Sequence, residues 1–237
     1  MTADDARSAR GWLLDEMTSI GRENLDPSHV ARYDDKEDAG ADTEVRLLQS
    51  AGLRPDATVV DLGAGTGQFA IAAAAVWPRV VAVDPSPVML SLLSEKARGR
   101  SVPLEIVEGG FLTYEHAGES PDLVYSRFAL HHLPDFWKAI ALERIRRMLR
   151  PRGILRLWDV VYHFPVDEAE DRIERWCATG SSGDGEWTRA DLEEHVRDES
   201  STFTWLLEPM IVQTGFEILD AGYSDDGFSA KYLLAAT

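Results

Sequence analysis

Asp61, Gly63, Gly65, Gly67 and Asp84 stand in two linked apolar runs, VVDLGAGTGQFA at Val59–Ala70 and VVAVDPS at Val80–Ser86. An apolar run closing on an acid reads as a buried parallel strand, and glycines after it let the backbone approach a ligand closely. Gln68–Trp77 then opens a helix. Asp84 lies about 20 residues past Gly63, the distance at which a carboxylate ending the next strand meets a ribose diol. The bland alternative is that the three glycines only punctuate a tight strand-to-helix turn.

The spacing narrows the ligand. A dinucleotide fingerprint begun at Gly63 requires its third glycine at position 68, which is Gln68, and no Gly-Lys-Ser/Thr ending makes the turn a phosphate cradle. The carboxylate of Asp61 repels a pyrophosphate and attracts an ammonium or sulfonium group. S-adenosylmethionine carries both cations and no phosphate. From about Val45 to Leu234 the chain resembles the class I S-adenosylmethionine-dependent methyltransferases, in the branch that acts on small molecules.

That resemblance implies an α/β fold, a doubly wound Rossmann-like sheet of seven strands with an antiparallel last strand, plus a helical lid and insertion. It places Asp61 near the methionine end of the cofactor, with Gly63, Ala64, Gly65 and Gln68 completing the loop and Asp84 on both ribose hydroxyls. Pro85 and Met89 flank the adenine. The third strand of such proteins leads into Gly-Asp, whose acid accepts the adenine amino group; here Glu108-Gly109-Gly110-Phe111 puts Gly110 where the acid is expected. Phe111 either stacks on the base, presents its backbone N–H or belongs to the core. Arg127 comes off the fourth strand near the methionine carboxylate. Tyr33 resembles an N-terminal aromatic that closes over the cofactor, against the alternative of an ordinary exposed tyrosine. The product implied is S-adenosylhomocysteine.

Acid–base candidates follow in DLVYSRFALHHL and WDVVYHF. His131 suits a general base, because an unperturbed imidazole accepts a proton near neutral pH; an HH pair here is common in the wider family, so a structural role for His131 and His132 stands beside it. Asp159, Tyr162 and His163 end the fifth strand and are candidates for substrate contact, or for satisfying buried backbone and capping the next helix. A divalent metal needs several converging ligands, and with only Asp159 placed for that purpose no metal is expected. Trp176, Trp187, Phe203 and Trp205 either line a substrate pocket or pack the insertion.

Composition bounds the partners. Asp and Glu outnumber Lys and Arg by 41 to 24, a net charge of −17, so a nucleic-acid partner is not expected. The arginines at 144, 146, 147, 150 and 152 surround a helix end, where the helix dipole and solvent accommodate them. Cys177 is alone, no signal-peptide core is present, and no uncharged apolar stretch spans a membrane, which predicts a cytoplasmic protein with no membrane partner. A small-molecule substrate is the expected partner, with self-association to a homodimer left open.

The elements that must position these residues alternate as parallel strands and covering helices do. Strands are expected at Leu104–Val107, Leu123–Ser126, Ile154–Val161, Phe216–Ala221 and Phe228–Ala235, and helices at Pro87–Arg98 and Trp137–Leu149. Residues 1–44 read as an N-terminal helical lid and 45–237 as a methyltransferase domain with a helical insertion at about 165–210, broken by the flexible run Gly180–Gly185. The expected activity is methyl transfer from S-adenosylmethionine to an O, N or C nucleophile of a metabolite. The alternatives are an RNA or protein methyltransferase, disfavoured by acidity and by SRFA standing where an amide-clamping motif would be, or a cofactor-binding homologue that rearranges or regulates.

Overall fold

The computed structural model describes residues 11–21, 24–36, 40–180 and 187–237. Strands β1 (Thr58–Leu62), β2 (Arg79–Asp84), β3 (Glu105–Glu108), β4 (Leu123–Arg127) and β5 (Ile154–Tyr162) are followed by β6 (Thr202–Phe203), β7 (Phe216–Tyr223) and β8 (Ser229–Ala236). Their order across the sheet is β3-β2-β1-β4-β5-β8-β7, with β8 antiparallel to both of its neighbours. The two-residue β6 pairs with the end of β5 and was not expected from the sequence; it extends the sheet to eight strands where the segment after Glu199 returns along β5.

Alternation along the strands explains why both faces are covered. Val60, Leu62, Val81, Val83 and Val124 enter one core, while Val59, Val80, Ala82, Leu123 and Tyr125 enter the other. A strand buried on both faces must be apolar throughout, which is why β1 and β2 read as continuous apolar runs and why an acid at the end of each is conspicuous. The strand order reverses between the parallel neighbours β1 and β4, and the crevice there opens at the carboxyl ends of the strands.

The helices cover these faces with recognisable ends. Gln68–Ala74 starts after Gly67, whose φ of 80° is a left-handed backbone. Pro87–Arg100 starts with the Ser86 side chain accepting from Met89 N–H and with proline in its first turn. The sequence-expected helix at 137–149 is Asp135–Met148. The helix Ala41–Ser50 runs across the boundary expected at 44/45, and its Glu44, Val45 and Leu48 are buried. The helices Ala169–Ala178 and Arg189–Asp198 form the expected insertion, followed by Thr204–Gln213. The run Gly180–Gly185 lies almost wholly outside the described residues.

One polar tie crosses this apolar packing. Arg156 of β5 donates to both oxygens of Glu44 at 2.7 and 3.0 Å, and both side chains are about 5% exposed or less. Such a pair holds the helix Ala41–Ser50 in register on the sheet, but removing one partner strands a buried charge. Glu44→Ala is expected to cost about 3–5 kcal/mol, and a thermal melt should show it as a fall of roughly 6–20 °C.

Candidate functional site

Two cavities meet at the carboxyl end of the sheet. The first is a cleft over the glycine loop, and all twelve residues that the sequence assigned to a cofactor line it: Tyr33, Asp61, Gly63, Ala64, Gly65, Gln68, Asp84, Pro85, Met89, Gly110, Phe111 and Arg127. The second, of about 350 Å³, is walled by Val160, Trp176, Trp187, Phe228, the acids Asp191, Glu194 and Glu199 of the insertion, and histidines from three parts of the chain. Asn24, Tyr33, Phe128 and His132 line both.

The loop geometry is fixed by close approach. Gly63 has a φ of 78°, and a side chain there would collide with Ala129; its N–H and that of Ala64 donate to the Val83 carbonyl. Asp84 accepts from Gly65 N–H and Ser86 N–H, each at 2.8 Å, so it ties the loop to the start of the next helix. Burial, with the charge of Asp84 adding to it, pushes Asp61 up to about 8, and burial pushes Asp84 up to about 6 against its two backbone donors. A cation or a pair of hydroxyl donors is what such carboxyls lack. The donor set therefore fits an S-adenosylmethionine-type ligand, with its ammonium, sulfonium and ribose diol.

The N-terminal segment closes this cleft with acids that the sequence reading did not single out. Asp34 accepts from Thr66 Oγ1 at 2.5 Å and Gln68 Nε2 at 3.1 Å and pairs with Lys96 Nζ at 2.5 Å. Ser86 Oγ donates to the Asn24 carbonyl at 2.6 Å. Glu16 is buried, accepts from Leu112 N–H at 3.0 Å and lies where a side chain on residue 110 would have to be. Burial raises its pKa, opposed by the donors around Leu112 and Thr113. Nothing local marks Glu16 or Asp34 among the 41 acids of the chain, because their partners are distant in sequence.

At the end of β4, Phe128 holds a φ of 48°, an uncommon left-handed backbone for a bulky residue, and packs its ring 5.3 Å from that of Trp158. The following turn delivers His131 and His132. His131 is buried, with Nδ1 2.5 Å from Asp159 Oδ1 and Nε2 3.0 Å from Glu199 Oε2. Both nitrogens thus face carboxylates, which leaves neither to take a proton from an acceptor. Burial opposes its charge, yet the Asp159 and Glu199 carboxylates raise it to about 10; burial and the neighbouring His131 charge lower His132 to about 3. Glu199 is held well below the usual carboxylate range, burial being outweighed by hydrogen bonds from His131 and His195.

The three substrate candidates part company here. Asp159 meets the site through His131, and it also accepts from Val160 N–H at 2.9 Å. The structure does not bring Tyr162 or His163 to either cavity. Tyr162 turns into an apolar cluster with Phe164 and Phe228, where burial pushes its hydroxyl up to about 12. His163 stacks on Tyr223 at 3.8 Å and meets Thr204 Oγ1 at 3.2 Å. Among the aromatic residues of the insertion, Trp176 and Trp187 line the second cavity, Phe203 packs on Tyr162 and Phe164, and Trp205 is exposed.

A family model described as a methyltransferase domain matches residues 59–153, the stretch from β1 to the end of the helix before β5. Over that stretch the chain is similar to the class I S-adenosylmethionine-dependent methyltransferases. An uncharacterized methyltransferase of Geobacillus kaustophilus is 29% identical over 187 residues, 79% of this chain and 76% of that protein. Another, from Bacillus subtilis, is 33% identical over 104 residues, 44% of this chain and 47% of its own length. Apart from the Geobacillus protein, the matched part spans about half the length of such curated relatives. The solved magnesium protoporphyrin IX methyltransferase of Synechocystis with bound S-adenosylhomocysteine shares the fold at 16% identity, with a TM-score of 0.67 over 94% of this chain and all of that one (100%). No helix among the described residues is long and apolar enough to cross a membrane.

The N-terminal segment is tied to the loop by a few side-chain hydrogen bonds in addition to its apolar contacts. Asp34→Ala removes three of them, each worth about 0.5–1.5 kcal/mol, and should speed amide hydrogen exchange across Asn24–Asp35 while leaving exchange in β1 and β4 unchanged.

Proposed function

We propose that this chain transfers the methyl group of S-adenosylmethionine to a nucleophilic atom of a small molecule held in the second cavity. The observation that carries the reading is the common wall of the two cavities. Tyr33, Phe128 and His132 line both, so a cofactor in the cleft and an acceptor in the second cavity face each other across that wall. When bound, the cofactor supplies an electrophilic methyl on a sulfonium; the acceptor lone pair takes it, the carbon–sulfur electron pair stays on sulfur, and a proton leaves the acceptor. The protein's share is proximity and exclusion of water. A cavity of about 350 Å³ is at the lower end of small-molecule sites and too small to enclose a macromolecule.

On this reading Asp84 takes the ribose hydroxyls and Asp61 the charge at the methionine end. Glu16 supplies from the N-terminal segment the carboxylate that Gly110 lacks, and so receives the adenine amino group. Tyr33 closes the cleft, and the segment containing it together with the insertion acts as the lid. His131 orients the second cavity's wall through Asp159 and Glu199.

The deciding experiment supplies methyl-labelled S-adenosylmethionine and a fractionated metabolite extract. Label appearing in a small molecule supports the reading; label entering only RNA or protein, or tight cofactor binding with no transfer to any fraction, overturns it. In calorimetry, Asp84→Ala should weaken S-adenosylhomocysteine binding by about 1.5–3 kcal/mol.

The two raised carboxyls also give a pH dependence. Ligand binding favours the ionised forms, so protons must be released below about 8 for Asp61 and about 6 for Asp84. Affinity should therefore fall as pH drops from 8 to 5, with a proton release visible as buffer-dependent heat. The ligand-free fold has the opposite trend. Its carboxyls hold protons more tightly than the unfolded chain, so their contribution to stability declines as pH rises from about 4 to 8. The melting-temperature gain on adding S-adenosylhomocysteine should accordingly be larger at pH 8 than at pH 5.5.

A further inference from the structure

We infer that His131, His132 and Glu199 form a binding site for one divalent transition-metal ion, of which zinc is the representative, in the wall of the second cavity. The ligand atoms, one from each residue, lie within 4.8 Å of one another. Glu199 Oε2 is 3.0 Å from His131 Nε2, and Glu199 Oε1 is 4.0 Å from His132 Nδ1. Ligands about 2.0–2.1 Å from a tetrahedral zinc stand roughly 3.3 Å apart, a spacing that these two distances bracket. Two imidazoles and one carboxylate suit a borderline metal, whereas calcium and magnesium take oxygen ligands.

The surroundings supply what a metal site needs beyond its ligands. A metal-bound histidine usually donates its other ring N–H to a carboxylate, which fixes tautomer and orientation; His131 Nδ1 has Asp159 Oδ1 at 2.5 Å. His195 contacts Glu199 through Nδ1 and Ser201 Oγ through Nε2, the latter at 2.9 Å, which orients the carboxylate. His132 Nδ1 is a buried polar atom with no hydrogen-bond partner among the described residues, and a metal would give it one. All three ligands line the second cavity, so the remaining coordination position opens into it, the arrangement that separates catalytic from structural zinc. There the ion would coordinate a hydroxyl or carboxylate oxygen of the acceptor and help an alcohol lose its proton. That role rests on the proposed function; the binding of the metal does not. It departs from the expectation of no metal, which weighed Asp159 alone, because Glu199 and His195 lie some 60 residues from the His131-His132 pair along the chain.

The test uses the full chain without an affinity tag, stripped with chelator and dialysed. Zinc is titrated by calorimetry, cobalt is added as a spectroscopic substitute, and S-adenosylhomocysteine binding is measured on the same preparation. One equivalent of zinc at micromolar affinity or tighter is expected, with cobalt giving the visible bands of a low-coordinate site. His132→Ala and Glu199→Gln should each weaken zinc binding at least tenfold. His132 makes no hydrogen bond through Nδ1, so its variant keeps the test available if Glu199→Gln fails to fold. Absence of stoichiometric zinc binding, or affinity unchanged in a folded His132→Ala, overturns the site. Zinc binding without methyl transfer would instead count against the proposed function alone.

Discussion

The two carboxyl groups at the ends of β1 and β2 are the constraint around which the rest of this chain is arranged. Asp61 and Asp84 are 2% and 7% exposed, close enough for one to raise the pKa of the other, and placed where the parallel sheet is driest. Burying an acid between two apolar layers is unfavourable unless something compensates. Backbone N–H groups from Gly65 and Ser86 compensate part of it at Asp84, and this is what shapes the glycine loop. The remainder is left for a ligand that brings a positive charge and hydroxyl donors. Binding selectivity is thus built into the site as a shortage of donors, and a pyrophosphate would deepen it.

The same logic explains the cover. The N-terminal segment is attached through single polar residues as well as through the apolar contacts of Trp12, Leu14 and Val30. Asp34 reaches the loop hydroxyl of Thr66, the amide of Gln68 and the ammonium of Lys96, and Asn24 receives Ser86. Glu16 goes deeper, filling the space beside Gly110. The glycine at 110 and the glutamate at 16 are therefore one feature seen from two sides. Any side chain at 110 would displace the carboxylate that takes its place.

Much of this was legible along the chain because local chemistry carried it. The apolar runs located β1, β2, β4 and β5 to within a residue or two, since a strand covered on both faces has no freedom to be polar. The glycine loop and Asp84 placed the cleft, and every residue assigned to it lines it. What stayed hidden depends on contacts between distant segments. Glu16, Asp34 and Glu199 look like any other surface acid until the fold brings their distant partners to them. Tyr162 and His163 follow Asp159 on the strand and shared its assignment, yet the aromatic cluster of Phe164, Phe203 and Phe228 draws Tyr162 inward and Tyr223 holds His163.

The second cavity inherits its chemistry from the insertion, not from the sheet. Its histidines come from three sources, His29 of the N-terminal segment, the turn after β4 and the helix Arg189–Asp198, and the last two meet at Glu199 at the end of that helix. The pairing of β6 with β5 and the Lys138 contacts to Asp135 and the Ser200 carbonyl hold that meeting point against the sheet. Position is thereby divided between a rigid part and a replaceable one. The strand ends fix where the first cleft lies, while the helices Ala169–Ala178 and Arg189–Asp198, with Glu199, supply much of the second cavity's wall. Changes to the insertion can reshape the second cavity without touching Asp61 or Asp84, and changes to the end of β5 reach the same cavity, because Asp159 anchors His131 and the following Val160 lines it.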